Sequence, residues 1–256
     1  MSATRAVTLT ALTGLPDVSA DDELSELLAA ALTRLDLHLE EKDVLVVAQK
    51  VVSKAEGRCV DLATVTPSAR AQELSLITRK DARLIELVLA ESTEVLRARP
   101  DVLIVRHRLG FVMANAGIDR SNVAANGGEW VLLLPHDPDA SAQRLRAALA
   151  QRLGSPCGVI ISDSFGRPWR KGVVNIALGA AGIASLIDRR GSADRFGRRL
   201  EVTEVAFADA LAAAAGLLMG EAAEGIPAVL VRGCAQSAAQ RNAQALIRPL
   251  AEDLFR

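Results

Sequence analysis

The sequence predicts a mixed α/β fold of the α+β type, built from two closely joined subdomains. Apolar β-branched runs alternate with helical apolar patterns along much of the chain, and hairpin-like pairs of runs interrupt that alternation. No segment rich in proline, glycine or serine marks a linker. With 256 residues, 50% of them hydrophobic, the chain can bury a large core without metals or disulfides.

Composition narrows the class of partner. The 30 basic residues balance 31 acidic ones, which excludes the basic excess typical of non-specific nucleic-acid binding. Cys59, Cys157 and Cys234 are far apart, a pattern that indicates thiols in a reducing cytoplasm. The chain also lacks a secretory signal pattern and an apolar run of ~18 residues. We therefore expect a cytoplasmic protein with small-molecule partners, and neither a nucleic acid nor a membrane among them.

Strands and helices are expected in order along the first half of the chain. Residues 6–16 alternate like a strand, and residues 19–35 show helical apolar spacing behind a serine cap. Residues 43–60 begin as an apolar strand with polar residues at its exit. Residues 67–98 are predicted to be helical, and residues 100–122 to form two strands that lead into a polar turn.

The second half of the sequence shows the same kinds of helix and strand patterns. An amphipathic helix with an aspartate or serine start and a glycine stop is expected over residues 137–154. It feeds an apolar strand that we expect to end at Asp163. Residues 200–220 change from strand alternation to an alanine-rich helix, residues 226–233 form a last buried strand, and residues 239–255 form short helices.

Two carboxylates are the leading candidates for chemistry. Asp119 and Asp163 each follow apolar sequence and enter a turn of small or polar residues, where a carboxylate can point into a cleft. Oxygen ligands placed in this way suit Mg²⁺ or Mn²⁺, which bridge protein carboxylates to substrate phosphates. The alternative, that both residues only cap turns, stays open.

Cations near these acids fit the same chemistry. Lys50 and Lys54 follow the second strand, and Arg167, Arg170 and Lys171 follow Asp163. Such cations can neutralise phosphate oxygens, although solvated basic turns would show the same pattern. The common phosphate-loop, dinucleotide, zinc-protease and serine-hydrolase motifs are absent from the sequence, and His38, His107 and His136 are scattered.

Longer strings resemble a known family. The strings, in order across nearly the whole chain, are GLPDV, DVLVVAQKVVSKAEGR, AGIDRSNV, LLLPHDPDASAQRLR, ISDSFGRPWRKG, NIALGAAGI, VTEVAFADALAAAA, LLMG, GIPAVLVRG and EDLF. Together they are similar to the coenzyme F-420-0:L-glutamate ligase family, also called F-420:gamma-glutamyl ligases. The resemblance is to the stand-alone form, so that residues 1–256 would be a single ligase-like domain.

The resemblance implies a reaction and an assembly. It implies a ligase that uses GTP and a divalent cation, Mg²⁺ or Mn²⁺, to join L-glutamate to the deazaflavin F-420-0 and then to extend a γ-linked tail; a requirement for K⁺ stays open. Because a carboxylate is a poor electrophile, it would first become an acyl phosphate. The family's fold is a gamma-glutamyl-ligase-like mixed α/β fold in an intertwined homodimer.

The resemblance also assigns residues. Asp119 and Asp163, together with Ser164, match the family's metal ligands, and we expect the two aspartates to share one catalytic metal-nucleotide centre. The positions that match its GTP contacts are Leu15, Pro16, Asp17, Val18, Gln49, Lys54, Asn122, Met219 and Gly220.

Some positions depart from the family pattern. Gln49 stands where serine or threonine is usual, Val173 and Val174 stand where a Gln-Thr pair is frequent, Ala210 stands where glutamate is common, and Glu221 stands where lysine is common. These departures leave the acceptor open. A paralogous GTP-dependent ligase with another acceptor and a non-catalytic GTP and metal sensor are the two alternatives.

Overall fold

The chain has a mixed α/β fold, as the sequence predicts. The structure is a computed structural model that describes residues 6–121, 123, 128–234 and 238–253. Among these residues, no helix is both long enough and apolar enough to cross a bilayer.

Strands and helices are numbered in chain order. The strands are β1 (Thr8–Ala11), β2 (Val44–Ala48), β3 (Cys59–Asp61), β4 (Ser92–Arg99), β5 (Val102–His107), β6 (Val112–Ala114), β7 (Trp130–Leu132), β8 (Gly158–Arg167), β9 (Arg170–Ala181), β10 (Leu186–Asp188), β11 (Glu204–Ala206) and β12 (Ala228–Arg232). The α-helices are α1 (Leu24–Arg34), α2 (Gln49–Ala55), α3 (Ala69–Thr78), α4 (Ala82–Ala90), α5 (Pro138–Leu153) and α6 (Phe207–Met219). Short 3₁₀ helices cover Leu62–Thr64, Asn115–Gly117, Ala243–Leu246 and Leu250–Glu252.

The chain divides into two compact units. The first unit takes the described residues of 1–18, 23–52 and 137–256, and the second takes 19–22 and 53–136. The second unit is thus mostly one continuous insertion in the first, and the boundary falls inside α2. Whether the units are closely joined, as expected from the sequence, stays a prediction.

A five-stranded sheet organises the first unit, in the order β1-β12-β2-β8-β9. The β2–β8 pair is parallel and the other pairs are antiparallel. Because successive side chains on a strand point to opposite faces, Val44 and Val46 pack in a cluster with α6, whereas Leu45 and Val47 are buried on the other face. Helix α5 packs against β8 and β9, and α1 packs against α5. Burial on both faces explains why β2 and β12 are continuous apolar runs in the sequence.

The second unit combines a helical pair with antiparallel strands. Strands β4, β5 and β6 form one antiparallel sheet, and β3 pairs with β7. Its core is formed by apolar residues of α3, α4, β5 and β7, among them Leu74, Ile85, Leu103 and Val131, each at most 1% exposed.

Three expectations about the elements were wrong. Residues 92–98 lie in strand β4 because the sequence after Glu91 pairs with β5 across a turn at Asp101, which has φ of 64°. Helix α1 begins at Leu24, where the Glu23 side chain accepts the Ser25 amide, and not behind Ser19. Strand β8 does not end at Asp163 but continues to Arg167, because β9 pairs with it along this whole length.

Candidate functional site

Several of the candidate residues of the first unit lie at one end of its sheet. Ala48, the last residue of β2, is in parallel register with Ser162 of β8. The Ala48 amide donates to the Pro227 carbonyl at 2.8 Å, which brings the segment before β12 to this end. The Leu12 amide donates to the Ala228 carbonyl at 2.9 Å, which brings the exit of β1 there as well. In open α/β sheets, ligands bind at the carboxyl ends of the parallel strands.

The loop after β1 is the first candidate nucleotide contact. It turns at Gly14, which has φ of 69° and a backbone too close to the Arg34 guanidinium to accept a Cβ. Arg34 also donates to the Thr13 carbonyl. Beyond this turn, Val18 is buried, Leu15 is half-buried, and Pro16 and Asp17 are exposed. The loop is therefore anchored at both ends and accessible in the middle.

Gln49 follows β2 directly and is the first residue of α2. Its side chain is 1% exposed, so any ligand contact from this position involves a buried amide. The strand exit continues directly into α2, which places Lys50 and Lys54 one helical turn apart. Lys54, which belongs to the second unit, is half-buried.

Asp163 and Ser164 lie within strand β8. Asp163 is opposite Ile176 of β9, and Ser164 is opposite Asn175. Because neighbouring residues on a strand point to opposite faces, the Asp163 carboxylate and the Ser164 hydroxyl leave the strand on different sides. Both residues are half-buried. The position is thus a rigid strand and not the flexible turn that the sequence indicated.

Helix α6 covers the Ser164 face. The Ser162 hydroxyl, two residues before Ser164 and on the same face, lies 3.9 Å from the Met219 sulfur. A Cβ on Gly216 would overlap the Asn175 side-chain nitrogen. Asn175 is 8% exposed, and among the described residues its side-chain amide has no hydrogen-bond partner. An amide that makes no hydrogen bond within the described residues has its donor and its acceptor available to a bound molecule.

Helix α6 ends at the candidate loop of Met219 and Gly220. Gly220 has φ of 70° and donates its amide to the Gly216 carbonyl at 3.1 Å. The turn that follows is closed by Glu224, whose carboxylate accepts the Ala222 amide at 2.8 Å. This hydrogen bond lowers the pKa of Glu224 below its usual value.

Asp119 lies in the second unit. Its backbone exchanges two hydrogen bonds with Leu132, of 3.0 and 2.8 Å, and its Oδ1 accepts the Ser121 amide at 2.7 Å. Asp119 therefore does cap a turn, as the alternative interpretation expected; its role as a metal ligand stays a prediction. Asn122 lies outside the described residues.

Basic residues occupy the tip of the β8–β9 hairpin. Arg167 pairs with Arg170 across the turn and donates to the Lys171 carbonyl at 3.0 Å. Trp169 at the turn has φ of 64° and is 89% exposed. A positive φ at a bulky residue is an uncommon, strained conformation.

The donor set fits Mg²⁺ or Mn²⁺ in kind. Among the described residues, no group of three or more His, Cys, Asp or Glu side chains could hold an ion by itself. Mg²⁺ does not need such a cage, since it keeps several waters and uses one or two carboxylates together with substrate phosphates. Asp163 offers a carboxylate oxygen of that type, whereas the Ser164 side chain leaves β8 on the opposite face.

Sequence reasoning missed two polar residues of this region, Asn175 and Asp209. The Asp209 carboxylate accepts the Ala177 amide of β9 at 2.9 Å. Burial raises the pKa of Asp209, and the hydrogen bond from Ala177 offsets only part of that rise. For Asn175, the one signal was an asparagine inside an otherwise apolar strand. Asp209 gave no signal, because an acid in the first turn of a helix is ordinary.

The fold and these positions define a class: a mixed α/β protein whose candidate ligand site lies at the carboxyl ends of two parallel strands. Comparison with known proteins is more specific. The family model for F420-0:Gamma-glutamyl ligase matches residues 14–233. The chain therefore belongs to the F420-0:gamma-glutamyl ligase family, as the resemblance indicated.

Curated relatives match over most of their length. The chain is 46% identical to the coenzyme F420:L-glutamate ligase of Methanopyrus kandleri over 239 residues, which is 92% of each chain. It is 42% identical to the enzyme of the same name from Methanothermobacter thermautotrophicus, with 98% of this chain and 99% of that one covered. The enzyme of that name from Methanocaldococcus jannaschii is 42% identical over 91% of this chain and 90% of its own.

Proposed function

We propose that this protein ligates L-glutamate to coenzyme F420-0 at the expense of GTP and extends the product by γ-glutamyl links. One observation carries the proposal: the matched residues after β1, in β8, at the start of α2 and at the end of α6 lie at the same end of the first unit's sheet. Membership in the ligase family and the names of relatives that cover the chain almost fully support the same reaction.

In this proposal the residues divide the work of binding. Residues 15–18, Gln49 and residues 219–220 surround the nucleotide, while the Asp163 carboxylate supplies an oxygen ligand to Mg²⁺ or Mn²⁺. The Ser164 side chain leaves β8 on the opposite face, so Ser164 is assigned to the metal by the family resemblance alone. When bound, the cation withdraws charge from the phosphoryl oxygens and so stabilises charge that develops during transfer. Lys54, Asp119 and Asn122 are assigned to the nucleotide and the metal by the family resemblance alone.

The reaction balances in two steps. A carboxylate oxygen of the acceptor attacks the γ-phosphorus of GTP, the bond to the bridging oxygen breaks, and GDP leaves. The amine of glutamate then attacks the acyl carbon, phosphate leaves with the bonding electrons, and the amine loses its proton to solvent. No covalent bond to the protein is needed, so the chain contributes position and charge. Arg167, Arg170 and Lys171 suit this role because every substrate is anionic.

A paralogous ligase with a different acceptor is the second candidate function. Val173 is 50% exposed and lies opposite Gly166, and Val174 lies opposite the buried Phe165. These apolar side chains stand close along β9 to Asn175, at positions where the family often has a polar pair. An acceptor with less polar surface would suit them better. A protein that binds GTP without turning it over is the third candidate, and a measurement of turnover distinguishes all three.

Association into a homodimer belongs to the proposal as well. Large apolar side chains of the first unit are exposed in the single chain, among them Trp169 at 89%, Phe196 at 94% and Val202 at 85%. Burial of such side chains against a second copy would remove apolar surface from water. Light scattering after size-exclusion chromatography would measure twice the 27.0 kDa of the chain.

Turnover of defined substrates tests the function. The protein is incubated with GTP, Mn²⁺ or Mg²⁺, glutamate and F420-0, with and without K⁺, and products are identified by mass spectrometry. Glutamylated F420 with stoichiometric GDP and phosphate is the expected result. Product with another carboxylate acceptor only would favour the paralogue, and GTP binding without any product would favour the sensor.

A further inference from the structure

The pairing of β8 with β9 is irregular at two places, between Ile161 and Ser162 and between Gly166 and Arg167, and the first of them concerns the strand beside the candidate site. Ile161 of β8 is opposite Gly179, but the next residue, Ser162, is opposite Ala177. Leu178 is therefore an extra residue, and the pair has a β-bulge at this point. Bulges locally disrupt the ladder and are frequent beside active sites, where they redirect side chains.

The bulge reverses the faces of β9. Ala177 and Ala180 both pack in the α6 cluster although they are three residues apart, and strict alternation would put them on opposite faces. Gly179 faces the other helix, because a Cβ there would overlap the Pro138 carbonyl of α5. A slip of one residue would move every side chain on one side of the bulge to the wrong face.

The bulge divides β9 into two halves. The half after Leu178 is packed in the sheet between α5 and α6. The half before Leu178 carries Asn175, which is opposite Ser164, and Ile176, which is opposite Asp163. The register of the candidate site therefore depends on whether the extra residue stays at Leu178.

A single side chain stabilises the bulge from α6. The Asp209 carboxylate accepts the Ala177 amide at 2.9 Å, at the residue next to Leu178. Asp209 lies in the first turn of α6, where a negative charge interacts favourably with the helix dipole. Among the described residues, no lysine or arginine forms an ion pair with Asp209. The carboxylate is half-buried, and the contact that it makes with the sheet is the hydrogen bond beside the bulge.

We propose that Asp209 is a positioning residue for the ligase site, which fixes the β9 bulge at Leu178 and thereby the register of Asp163 and Ser164 against β9. The inference rests on the proposed function, because it assigns Asp163 and Ser164 to the site. Asp209 touches neither substrate nor metal in this role. It acts through the Ala177 amide.

Asp139 provides a matched control. Its carboxylate also accepts a β9 amide, that of Ala180 at 2.8 Å, and it further accepts the amides of Ala243 at 2.8 Å and Gln244 at 3.2 Å. It is thus a second acid that holds β9 by the backbone, with more hydrogen bonds, but on the sheet half of the strand. Loss of Asp139 should cost at least as much stability as loss of Asp209 without a change in the register at Ser164.

The experiment compares Asp209→Ala, Asp209→Asn and Asp139→Ala in the full chain. Amide hydrogen exchange is measured for residues 163–166 and 173–177, together with thermal stability and turnover. In Asp209→Ala these amides should exchange about tenfold faster or more, since the acceptor for Ala177 is lost. Asp209→Asn keeps an acceptor oxygen and should restore slow exchange and turnover. Asp139→Ala should lower the melting temperature but keep turnover per folded molecule within about twofold.

The results of this experiment either support the positioning role of Asp209 or overturn it. Slow exchange at these residues in Asp209→Ala, or equal losses of turnover in Asp209→Ala and Asp139→Ala at equal stability, would overturn it. If Asp209→Ala does not fold, Asp209→Glu replaces it, because the longer side chain misplaces the acceptor and should give the same fast exchange. Failure of the wild-type protein to make any product would refute the proposed function alone, since hydrogen exchange reports on the bulge without substrate.

Discussion

Polar side chains with little solvent exposure have different contacts in the two units. At the sheet end of the first unit, Asn175 has no hydrogen-bond partner among the described residues, and Ser162 contacts only the sulfur of Met219 at 3.9 Å. Asp209 has one backbone amide and no cation, and burial raises its pKa. Within the described part of the protein, each of these groups makes at most one such contact.

The second unit surrounds the half-buried carboxylate of Glu91 with two arginines and a histidine. Glu91 lies 2.9 Å from an Arg58 nitrogen, 3.1 Å from Arg108 Nε and 3.4 Å from His107 Nε2. His107 is fully buried, and its Nδ1 accepts the Leu109 amide, so the proton is on Nε2 and faces Glu91. Burial acts to raise the pKa of Glu91, but His107, Arg58 and Arg108 outweigh it and hold the pKa at about 2.

The two regions differ in how their carboxylates are paired: Glu91 contacts two arginines and a histidine, whereas Asp209 has one backbone amide and no cation. Hydrogen-bond satisfaction alone does not separate the units, because Asn115 Oδ1 of the second unit is also buried without a partner among the described residues. Replacements around Glu91 should therefore cost stability, and replacements at the sheet end of the first unit should cost function.

The largest effect is expected from Glu91→Gln. Loss of the charge leaves Arg58 and Arg108 without their half-buried partner, which should lower the free energy of unfolding by about 3 kcal/mol. Urea unfolding in a Trp169→Phe background, where Trp130 of the second unit is the single tryptophan, measures this loss. Glu73→Gln breaks the exposed Arg70–Glu73 pair and should change stability by no more than about 0.5 kcal/mol. Equal effects of the two replacements would remove the distinction.

The second-largest effect is expected from Asp163→Asn, as a loss of turnover. Loss of one carboxylate that stabilises transferred charge should reduce kcat about 10²- to 10³-fold, with an apo melting temperature close to that of the wild type. If Asp119 and Asp163 act as a unit, the double variant with Asp119→Asn should be little slower than the slower single variant. Multiplied losses would contradict the prediction of one shared centre.

Lowering the pH should reduce the free energy of unfolding of the second unit, by an amount similar to or smaller than the loss in Glu91→Gln. The pKa of Glu91 is depressed from 4.5 to about 2, so its contribution is complete above pH 4.5 and is lost as the pH falls towards 2. The loss over this window should be about 3 kcal/mol, seen as a falling urea midpoint of Trp130 fluorescence. In Glu91→Gln this part of the pH dependence should disappear. A wild-type midpoint that does not change over this window would refute the assignment.

The smallest effect is expected at Asn175. Because its amide has no partner among the described residues, Asn175→Ala should change the melting temperature little, but the KM for one substrate should rise about tenfold, as for the loss of one hydrogen bond. Steady-state kinetics with each substrate varied in turn identifies which one. A large loss of stability with unchanged KM values would make Asn175 a structural residue.

Local patterns predicted the elements better than their connections. Helix α5 was predicted with an aspartate or serine start and a glycine stop, and the structure has Asp137 and Gly154 at these positions, because caps and apolar spacing are properties of neighbouring residues. Strand β8 was predicted too short, since Ser164 and Gly166 carry no strand signal and only the pairing with β9 extends it. The contact between Asp209 and Ala177 joins residues 32 apart and has no local signature.

Only the site residues that match the family motifs could be predicted from the sequence. Asp163, Gln49 and Met219 were named from the sequence, and the structure brings their segments to one end of the sheet. That Asp163 and Ser164 point to opposite faces follows from the strand, which the expected turn would not have shown. Asn175 could not be ranked, because its lack of a partner is a property of the packed protein.

The insertion of the second unit also sets an order of events during synthesis. Residues 53–136 leave the ribosome while β1 and β2 are still without β8, β9 and β12, and β12 is the strand that joins β1 to β2. The nascent inserted unit can form its own core at this stage, since domains fold as units. The first unit must wait until residue 232 has emerged. We therefore expect the apolar strand β2 to stay without its neighbours β8 and β12 throughout synthesis of the inserted unit.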